Sequence, residues 1–242
     1  MSNASEVIRL ERHDGLVIMT LDRPEVLNAY NRQMRDQIFE ALTFVAATPE
    51  VRVLLVEGSG RAFGSGGDLS EFGMAESPLA ARETRQRRDV WGLWSELPCV
   101  TMAAVHGMAV GGGCEMALLC DLMIAAETAC FRLPETSLGT LPGVGGTQTL
   151  PRAIGAGRAA GVLLAGSEIS GREAERLGLA QWVCSEKTLA ARARSLAKSL
   201  AILSGPALKA AREALRRGGD LPLAEGLRLE ARLGKRLREE QT

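Results

Sequence analysis

Two short apolar runs are each followed by a glycine-rich loop, and this repeated pattern limits the possible folds more than any other feature of the chain. Residues 51–56 lead into the loop 58–67, and residues 99–105 lead into Gly111-Gly112-Gly113. A short apolar run that ends at glycine is typical of a buried strand, and each loop is followed by a segment with helical character. A strand, a loop and a helix therefore follow one another twice, which predicts a mixed α/β domain.

The first half of the chain contains further regular elements. Residues 7–12 and 16–22 alternate apolar and polar side chains around Asp14-Gly15, which predicts a β-hairpin. Asn31 is a favourable N-cap for a helix that runs to about residue 47, because the apolar residues after it recur at helical spacing: Met34, Ile38, Leu42 and Val45. A second, charged amphipathic helix is predicted over residues 78–97.

The second half is predicted to be mainly helical after one more strand. Residues 122–126 form that strand, residues 171–178 a short helix, and residues 186–242 three further helices. Breaks between the three helices are expected at Ser204-Gly205-Pro206 and at Gly218-Gly219, because proline and glycine interrupt helices.

Charge and cysteine content argue against several classes of protein. Twenty-nine basic residues balance twenty-nine acidic ones, so no net charge would attract nucleic acid or an anionic membrane. The five cysteines are an odd number without a C-x-x-C pair, which favours free, buried thiols in a reducing compartment. The first residues lack the apolar core of a secretory signal. The expected location is therefore cytoplasmic.

Two other patterns suggest different functions, and both are weaker. Residues 99–120 are largely apolar, but a membrane-spanning helix there would have to bury His106 and Glu115 and contain four glycines. Residues 155–160 match G-x-G-x-x-A, a dinucleotide-binding pattern that requires a preceding strand, yet Pro151 lies where that strand should be. The only two histidines lie in different segments, which gives little support to a metal site or a catalytic triad.

The two glycine-rich loops and two glutamates carry the chemical signal. Backbone N–H groups at glycine turns or helix N-termini can approach an anion closely, and two of them from separate loops can form an oxyanion hole. Glu115 lies in the first turn after the second loop, and Glu135 follows Pro134 at the start of another helix. Two carboxyl groups with pKa values pushed apart can act as an acid and a base. The alternative is that the glycines only form turns and the glutamates only stabilise helix N-termini.

Several ordered motifs resemble those of the crotonase (enoyl-CoA hydratase/isomerase) superfamily. Three of them are Gly60-Arg-Ala-Phe-Gly-Ser-Gly-Gly-Asp-Leu69, Val105-His-Gly-Met-Ala-Val-Gly-Gly-Gly-Cys-Glu-Met-Ala-Leu-Leu-Cys-Asp121 and Pro134-Glu-Thr-Ser-Leu-Gly-Thr-Leu-Pro-Gly-Val-Gly-Gly-Thr-Gln148. A fourth, weaker match covers residues 163–183. The resemblance extends from about residue 7 to residue 230. It implies an α/β fold, a crotonase-like spiral of repeated β-β-α units with a helical C-terminal region.

The resemblance also implies roles for individual residues. Glu115 and Glu135 occupy both positions that enoyl-CoA hydratases use, and Gly67 and Gly112 would supply the oxyanion-hole N–H groups. The residues expected along the CoA and acyl groove are Val26, Leu27, Ser65, Asp68, Leu69 and Gly143. The implied reaction is the reversible addition of water to a 2-enoyl-CoA thioester, with the CoA thioester as substrate and no metal or redox cofactor.

Domain organisation and assembly follow from the same resemblance. Residues 1–185 would form the core with the CoA and acyl site, and residues 186–242 a helical region for oligomerisation. The expected assembly is a homotrimer or a hexamer, with no nucleic-acid or membrane partner. An apolar stripe is available for packing between subunits, unless it only closes the core of its own chain: Leu223, Leu227, Leu233 and Leu237.

Two departures from the family pattern leave alternatives open. Ser70 stands where many members have a lysine near the CoA phosphates, so this contact is expected to be absent. The printed sequence also lacks the further helix that commonly packs near the CoA and the acyl pocket. An isomerase, another acyl-CoA dehydratase, a hydrolase and a non-catalytic CoA-binding protein are the alternatives. An isomerase usually needs only the glutamate at the position of Glu135, so Glu115 favours hydration.

Overall fold

The computed structural model describes residues 6–71 and 88–239. Its strands are β1 Ile8–His13, β2 Leu16–Leu21, β3 Val53–Gly58, β4 Val100–Val105, β5 Met108–Val110, β6 Leu122–Ala126, β7 Cys130–Arg132, β8 Ile169–Ser170 and β9 Trp182–Cys184. Its helices are α1 Arg32–Ala46, α2 Val90–Glu96, α3 Gly112–Leu119, α4 Gly146–Ile154, α5 Ala156–Ala165, α6 Gly171–Arg176, α7 Glu186–Ala201, α8 Gly205–Gly218 and α9 Leu223–Glu239.

The main sheet has the strand order β1-β2-β3-β4-β6-β9, and it begins with the predicted hairpin. Strands β1 and β2 pair antiparallel from Ile8–Leu21 to His13–Leu16, and Gly15 adopts a φ of +69° in the turn. All six residues of β2 are buried because the strand lies inside the sheet with protein on both faces. The hairpin prediction is confirmed.

The remaining strands of this sheet run parallel, and that arrangement positions the two glycine-rich loops. Val53 pairs with Val100 and Glu57 pairs with Ala104, so β3 and β4 end side by side. In a parallel sheet the loops after neighbouring strands leave from the same edge, which is where such folds place their ligands. The loop after β3 and the chain after β4 therefore meet.

A small second sheet, of order β5-β7-β8, was not predicted from the sequence. Its strands are two or three residues long, too short for an apolar alternation to be recognised. β5 nevertheless matters for the site, because Gly64 of the first loop forms a parallel bridge with Ala109 of β5.

The predicted helix after Asn31 is confirmed as α1. The Asn31 side chain accepts a 2.8 Å hydrogen bond from the Met34 N–H, as expected of an N-cap, and the apolar residues at helical spacing are all buried. The predicted helix over residues 78–97 lies partly outside the described residues. Its final part is confirmed by α2, which Asp89 caps through the Gly92 N–H.

The three predicted C-terminal helices are also confirmed, as α7, α8 and α9. Helix α7 packs on the main sheet through small and apolar residues that recur every four positions: Leu189, Ala193, Ala197 and Ala201. Helices α8 and α9 pack against each other. The division of the chain at residue 185 stays a prediction, since α7 shares the core of the preceding residues.

The structure differs from what the two weaker patterns, a membrane-spanning helix and a dinucleotide site, require. The apolar segment 99–120 contains two strands and the eight-residue helix α3, and no helix within the described ranges has the length and apolar composition to cross a membrane. Gly155 follows directly after α4, so the strand that a dinucleotide site requires is not there, and that interpretation is wrong. The cysteines are free, as expected: Cys99, Cys114 and Cys184 are buried, and Cys120 and Cys130 are partly buried.

Candidate active site

The two glycine-rich loops converge through backbone hydrogen bonds. The Gly64 N–H donates to the Met108 carbonyl at 3.0 Å, and the Val110 N–H donates to the Gly64 carbonyl at 2.9 Å. These two hydrogen bonds hold the first glycine-rich loop against β5, the strand that leads into α3. A methyl group built on Gly112 would lie 4.0 Å from the Gly67 nitrogen, so the two predicted oxyanion-hole residues are neighbours in space.

The N–H groups of Gly67 and Gly112 are available for a ligand. Within residues 6–71 and 88–239, neither group donates a backbone hydrogen bond. Tyr30 pairs with the residues on either side of Gly67, accepting from the Asp68 N–H and donating to the Gly66 carbonyl, so the Gly67 N–H points to the other side of the loop. Gly112 is the first residue of α3, where an N–H has no partner within the helix and lies at the positive end of the helix dipole.

Glu115 projects from the first turn of α3 and is 2% exposed. Its Oε1 accepts hydrogen bonds from the backbone N–H groups of Val144, at 2.8 Å, and Gly146, at 2.7 Å. Burial raises the pKa of Glu115, and the N–H groups of residues 143–146 oppose that rise because they favour the charged form. Gly146 also begins helix α4, so the carboxylate lies at a helix N-terminus.

Glu135 begins the 3-10 helix Glu135–Leu138 and is half-buried. Its Oε2 is buried and has no hydrogen-bond partner in the described part of the chain. Burial raises the pKa of Glu135, a hydrogen bond from its own backbone N–H opposes that rise, and the negative charge of Glu115 adds to it. A buried carboxyl oxygen without a partner is costly, and carboxyl groups with raised pKa values occur preferentially at functional sites.

The predicted groove residues Val26 and Leu27 lie on a tightly folded loop after β2. Pro24–Val26 form a 3-10 helix, and Leu27 and Asn28 follow with φ values of +57° and +56°, in the left-handed region. The buried Asn28 side chain holds this loop to the first glycine-rich loop by donating to the carbonyls of Ser59 and Ala62. The sequence analysis did not single out Asn28, although asparagine is one of the few residues that tolerate this conformation.

Ser65 and Asp68 connect the same two loops. The Ser65 N–H donates to the Leu27 carbonyl at 3.0 Å, and Arg23 forms a 2.9 Å ion pair with Asp68. Ser70 donates to the Asp68 carboxylate at 2.7 Å, and together Ser70 and Arg23 lower the pKa of Asp68. The Asp68 carboxylate therefore braces the loop that carries Gly67, and Ser70, in place of the family's lysine, takes part in that brace.

Exposed apolar side chains follow two of these groups in the sequence. Leu69 is 69% exposed, and two leucines on the segment between Glu135 and Gly143 are similarly exposed, Leu138 at 61% and Leu141 at 66%. Gly143 itself is exposed, and a methyl group added there would meet nothing within 4 Å. Leu138 and Leu141 were not among the predicted site residues; the available signal was two leucines in an otherwise glycine-, proline- and threonine-rich segment.

Comparisons with known proteins identify the family of the chain. A family model described as enoyl-CoA hydratase/isomerase matches residues 11–242. A probable enoyl-CoA hydratase of Mycobacterium tuberculosis is 40% identical over 228 residues, covering 94% of this chain and 88% of that protein. The 2,3-dehydroadipyl-CoA hydratase of Escherichia coli is 38% identical over 229 residues, covering 95% of this chain and 89% of that protein.

A solved structure extends the agreement to the fold. An enoyl-CoA hydratase from Geobacillus kaustophilus superimposes with a TM-score of 0.90 at 38% identity, covering 97% of this chain and 90% of that chain. The prediction of a crotonase-like α/β fold is thereby confirmed. The chain belongs to the enoyl-CoA hydratase/isomerase family and is an enzyme of its hydro-lyase type.

Proposed function

We propose that this protein adds water reversibly to a 2-enoyl-CoA thioester, with Glu115 and Glu135 as the acid–base pair and the N–H groups of Gly67 and Gly112 as the oxyanion hole. One observation carries the proposal: two carboxyl groups with raised pKa values lie beside two free N–H groups that come from separate loops. Hydration of a conjugated thioester needs donors at the carbonyl oxygen, a base for the water that attacks Cβ, and an acid that protonates Cα.

The surroundings of the two glutamates support different protonation states. Glu115 accepts two backbone hydrogen bonds and lies at the N-terminus of α4, and both features favour the carboxylate. Glu135 receives backbone support only from its own N–H, its Oε2 is buried without a partner, and the charge of Glu115 favours its neutral form. We therefore assign the base to Glu115 and the acid to Glu135. The pair titrates as a unit, so its two macroscopic pKa values belong to both residues.

The reaction follows from this assignment. Glu115 takes a proton from water, and the water oxygen bonds to Cβ of the substrate. The electrons of the C=C bond move toward the thioester, and the negative charge that develops on its oxygen is stabilised by the Gly67 and Gly112 N–H groups. Glu135 gives its proton to Cα, so water is added in full. After the product leaves, Glu115 loses its proton to solvent and Glu135 takes one up from solvent, which completes the cycle.

The central experiment follows crotonyl-CoA by loss of its conjugated thioester absorbance. Glu115→Gln and Glu135→Gln keep the side-chain shape but remove proton transfer, so each should lower kcat by about 10²–10⁴-fold. The matched control is Glu175→Gln, the same chemical change at an exposed glutamate of α6, and it should keep the rate of the parent enzyme. The two effects should not simply add, because both residues act in the same hydration step.

Other outcomes would replace the proposal. If both Gln variants keep most of the rate, the two-glutamate mechanism is wrong for this protein. If the parent enzyme hydrates no chain length but shifts a 3-enoyl double bond, it is an isomerase. If it binds acyl-CoA by calorimetry without turnover of either substrate, it is a non-catalytic CoA-binding protein.

We further propose that CoA lies along the groove formed by the two connected loops. The residues assigned to this groove are Val26, Leu27, Ser65, Asp68, Leu69 and Gly143. Val26 and Leu69 are exposed there, at 39% and 69%, and offer apolar contact, whereas Ser65 and Asp68 hold the loops together. No redox or metal chemistry enters the proposed steps.

The assembly is proposed to be a homotrimer or a hexamer located in the cytoplasm. The four leucines of the predicted stripe differ in exposure: Leu233 is 5% exposed and packs within its own chain, Leu237 is partly buried, and Leu223 and Leu227 are 79% and 55% exposed. The exposed pair supports packing between subunits. Sedimentation at micromolar concentration should show an oligomer that the double variant Leu223→Glu/Leu227→Glu weakens, and a monomeric parent protein would refute the assembly.

A further inference from the structure

Gly111 is fixed between the two loops and the catalytic pair by its own backbone. Its N–H donates to the Arg132 carbonyl at 2.9 Å, and its carbonyl accepts from the Glu115 N–H at 2.9 Å. The first bond ties Gly111 to β7, and the second is the first bond of α3. Because both groups are engaged, the Gly111 backbone cannot move far without disturbing the start of α3.

The space beside Gly111 is filled by the carboxyl group of Glu135. A methyl group built on Gly111 would lie 2.8 Å from Glu135 Oε1, closer than carbon and oxygen approach in proteins. Its next contacts, with Gly66 Cα and Glu135 Cδ, are at 3.7 and 3.8 Å, which is ordinary van der Waals distance. Because Gly111 has no side chain, the carboxyl group of Glu135, at the end of a flexible side chain, can lie beside it.

The neighbouring glycines of the same motif differ in this respect. A methyl group on Gly112 would have no contact shorter than 4.0 Å, and one on Gly113 would overlap the Gly64 backbone. A substitution at Gly113 therefore opposes the fold itself, whereas one at Gly111 strains a positive-φ backbone and meets one group at less than 3 Å, the Glu135 carboxyl group.

We infer that Gly111 is a positioning residue, which acts by letting the Glu135 carboxyl group lie against the N-terminus of α3, next to the oxyanion-hole donor Gly112. This inference rests on the proposed function, in which Glu135 delivers the proton to Cα. A displacement of about 1 Å at a proton donor is enough to cost about 10²-fold in rate. Thioester binding by the Gly67 and Gly112 N–H groups does not depend on Glu135.

The test is the variant Gly111→Ala, with Gly155→Ala as the matched control. Gly111 has φ +52° and ψ −127°, and Gly155 has φ +83° and ψ 150°; both are helix N-caps in conformations that favour glycine. A methyl group on Gly155 would meet nothing within 4 Å, so the control carries backbone strain without a contact to Glu135. Gly111→Ala should lower kcat by about 10²-fold with little change in KM, and Gly155→Ala should leave both near the parent values.

A second substitution, at Glu135, distinguishes a loss of positioning from a general loss of folding or stability. Glu135→Asp shortens the side chain by one methylene and withdraws it from the added methyl group. It should lower kcat in the parent enzyme but raise kcat about tenfold in the Gly111→Ala background, because residues in contact do not have additive effects. If Glu135→Asp lowers kcat equally in both backgrounds, or if Gly155→Ala loses as much activity as Gly111→Ala, the inference is wrong.

Stability measurements keep the inference testable if Gly111→Ala does not fold. In the Glu135→Ala background the obstructing carboxyl group is gone and only positive-φ strain of the kind that Gly155→Ala also carries remains, so Gly111→Ala should then fold and be less destabilising than in the parent protein. A double variant that still fails to fold, or an equal loss in both backgrounds, would overturn the inference. This readout needs no activity, so it also separates failure of the inference from failure of the proposed function, which Glu135→Gln tests by itself.

Discussion

The backbone N–H of Gly146 donates a 2.7 Å hydrogen bond to Oε1 of Glu115, and Gly146 is also the first residue of helix α4. The contact is close on the carbon side as well, because a methyl group on Gly146 would lie 3.1 Å from both Cγ and Oε1 of Glu115. Gly146 thus places the positive end of the α4 dipole beside the Glu115 carboxylate, and its lack of a side chain leaves space for the side chain of Glu115.

Gly146→Ala should therefore reduce turnover without preventing folding. The added methyl group would also lie 3.1 Å from Leu133 Cδ1, so the Glu115 side chain has to shift by a few tenths of an ångström. We expect kcat to fall by about tenfold or more, because proton transfer depends steeply on geometry. Gly157→Ala, at an exposed position of α5 where a methyl group meets nothing within 4 Å, should keep full activity and gain up to about 1 kcal/mol of stability. Equal rates for the two variants would contradict the prediction.

The raised pKa of Glu135 predicts a pH-dependent gain in stability for Glu135→Gln. Since the folded-state pKa lies above the unfolded value, the folded protein holds this proton to higher pH than the unfolded chain does. The contribution of Glu135 to stability is therefore complete below the ordinary carboxyl pKa and falls as pH rises through the raised one. Glu135→Gln removes this loss. The Tm of the variant minus the Tm of the parent protein should therefore be larger at pH 8 than at pH 4. Glu175→Gln should show no such trend, and a trend of opposite sign would contradict the burial of Glu135.

Because Asp68 forms an ion pair with Arg23, Asp68→Asn should reduce both the stability of the protein and its kcat/KM. The two side chains are 14% and 16% exposed, and charge-assisted hydrogen bonds of this kind contribute about 1.5–3 kcal/mol. The variant should lose stability in that range and lower kcat/KM, because Asp68 holds the loop that carries Gly67. Its lowered pKa means that this contribution is present at neutral pH and disappears as pH falls through the folded-state value.

The control for that variant is Asp22→Asn, which breaks the more exposed ion pair between Arg9 and Asp22. Those side chains are 56% and 25% exposed, so the loss should stay below about 1 kcal/mol and kcat/KM should not change. Denaturant unfolding measures the loss of stability, and initial rates on crotonyl-CoA measure kcat/KM. A normal kcat/KM for Asp68→Asn would show that the brace is not needed for the site.

A partly buried charge cluster predicts that helix α8 is held to the core mainly by Asp121. Its carboxylate forms ion pairs with Arg212 at 2.7 Å and Arg216 at 3.1 Å, and it accepts from the Thr101 N–H and hydroxyl. Breaking a fully buried pair costs about 3–5 kcal/mol, and since these side chains are partly exposed, Asp121→Asn should cost about 2–3 kcal/mol. Arg217→Met, which removes an exposed pair with Glu213, should cost less than about 1 kcal/mol. Similar denaturant midpoints for the two variants would show that the cluster does not anchor the helix.

The order of the main elements was predictable from the sequence because it depends on local patterns. Helix α1 follows from the Asn31 cap and a helical apolar period, and the breaks between the last three helices follow from glycine and proline. The two loops and two glutamates were recognisable for the same reason, since each motif is contiguous. The short strands β5, β7, β8 and β9 were missed, because two or three residues carry no period and their pairing partners are not adjacent in the chain.

The sequence by itself determined which residue types are available at the site and in which order. Only the tertiary structure decided how they act together: that the Gly67 N–H points away from Tyr30, that Gly146 supports Glu115, that Gly111 leaves space for Glu135, and that Asp68 pairs with Arg23. Each of these relationships joins segments that are distant in sequence. Their distances arise from the packing of β5 beside the first loop and of α4 beside α3, and no local pattern encodes them.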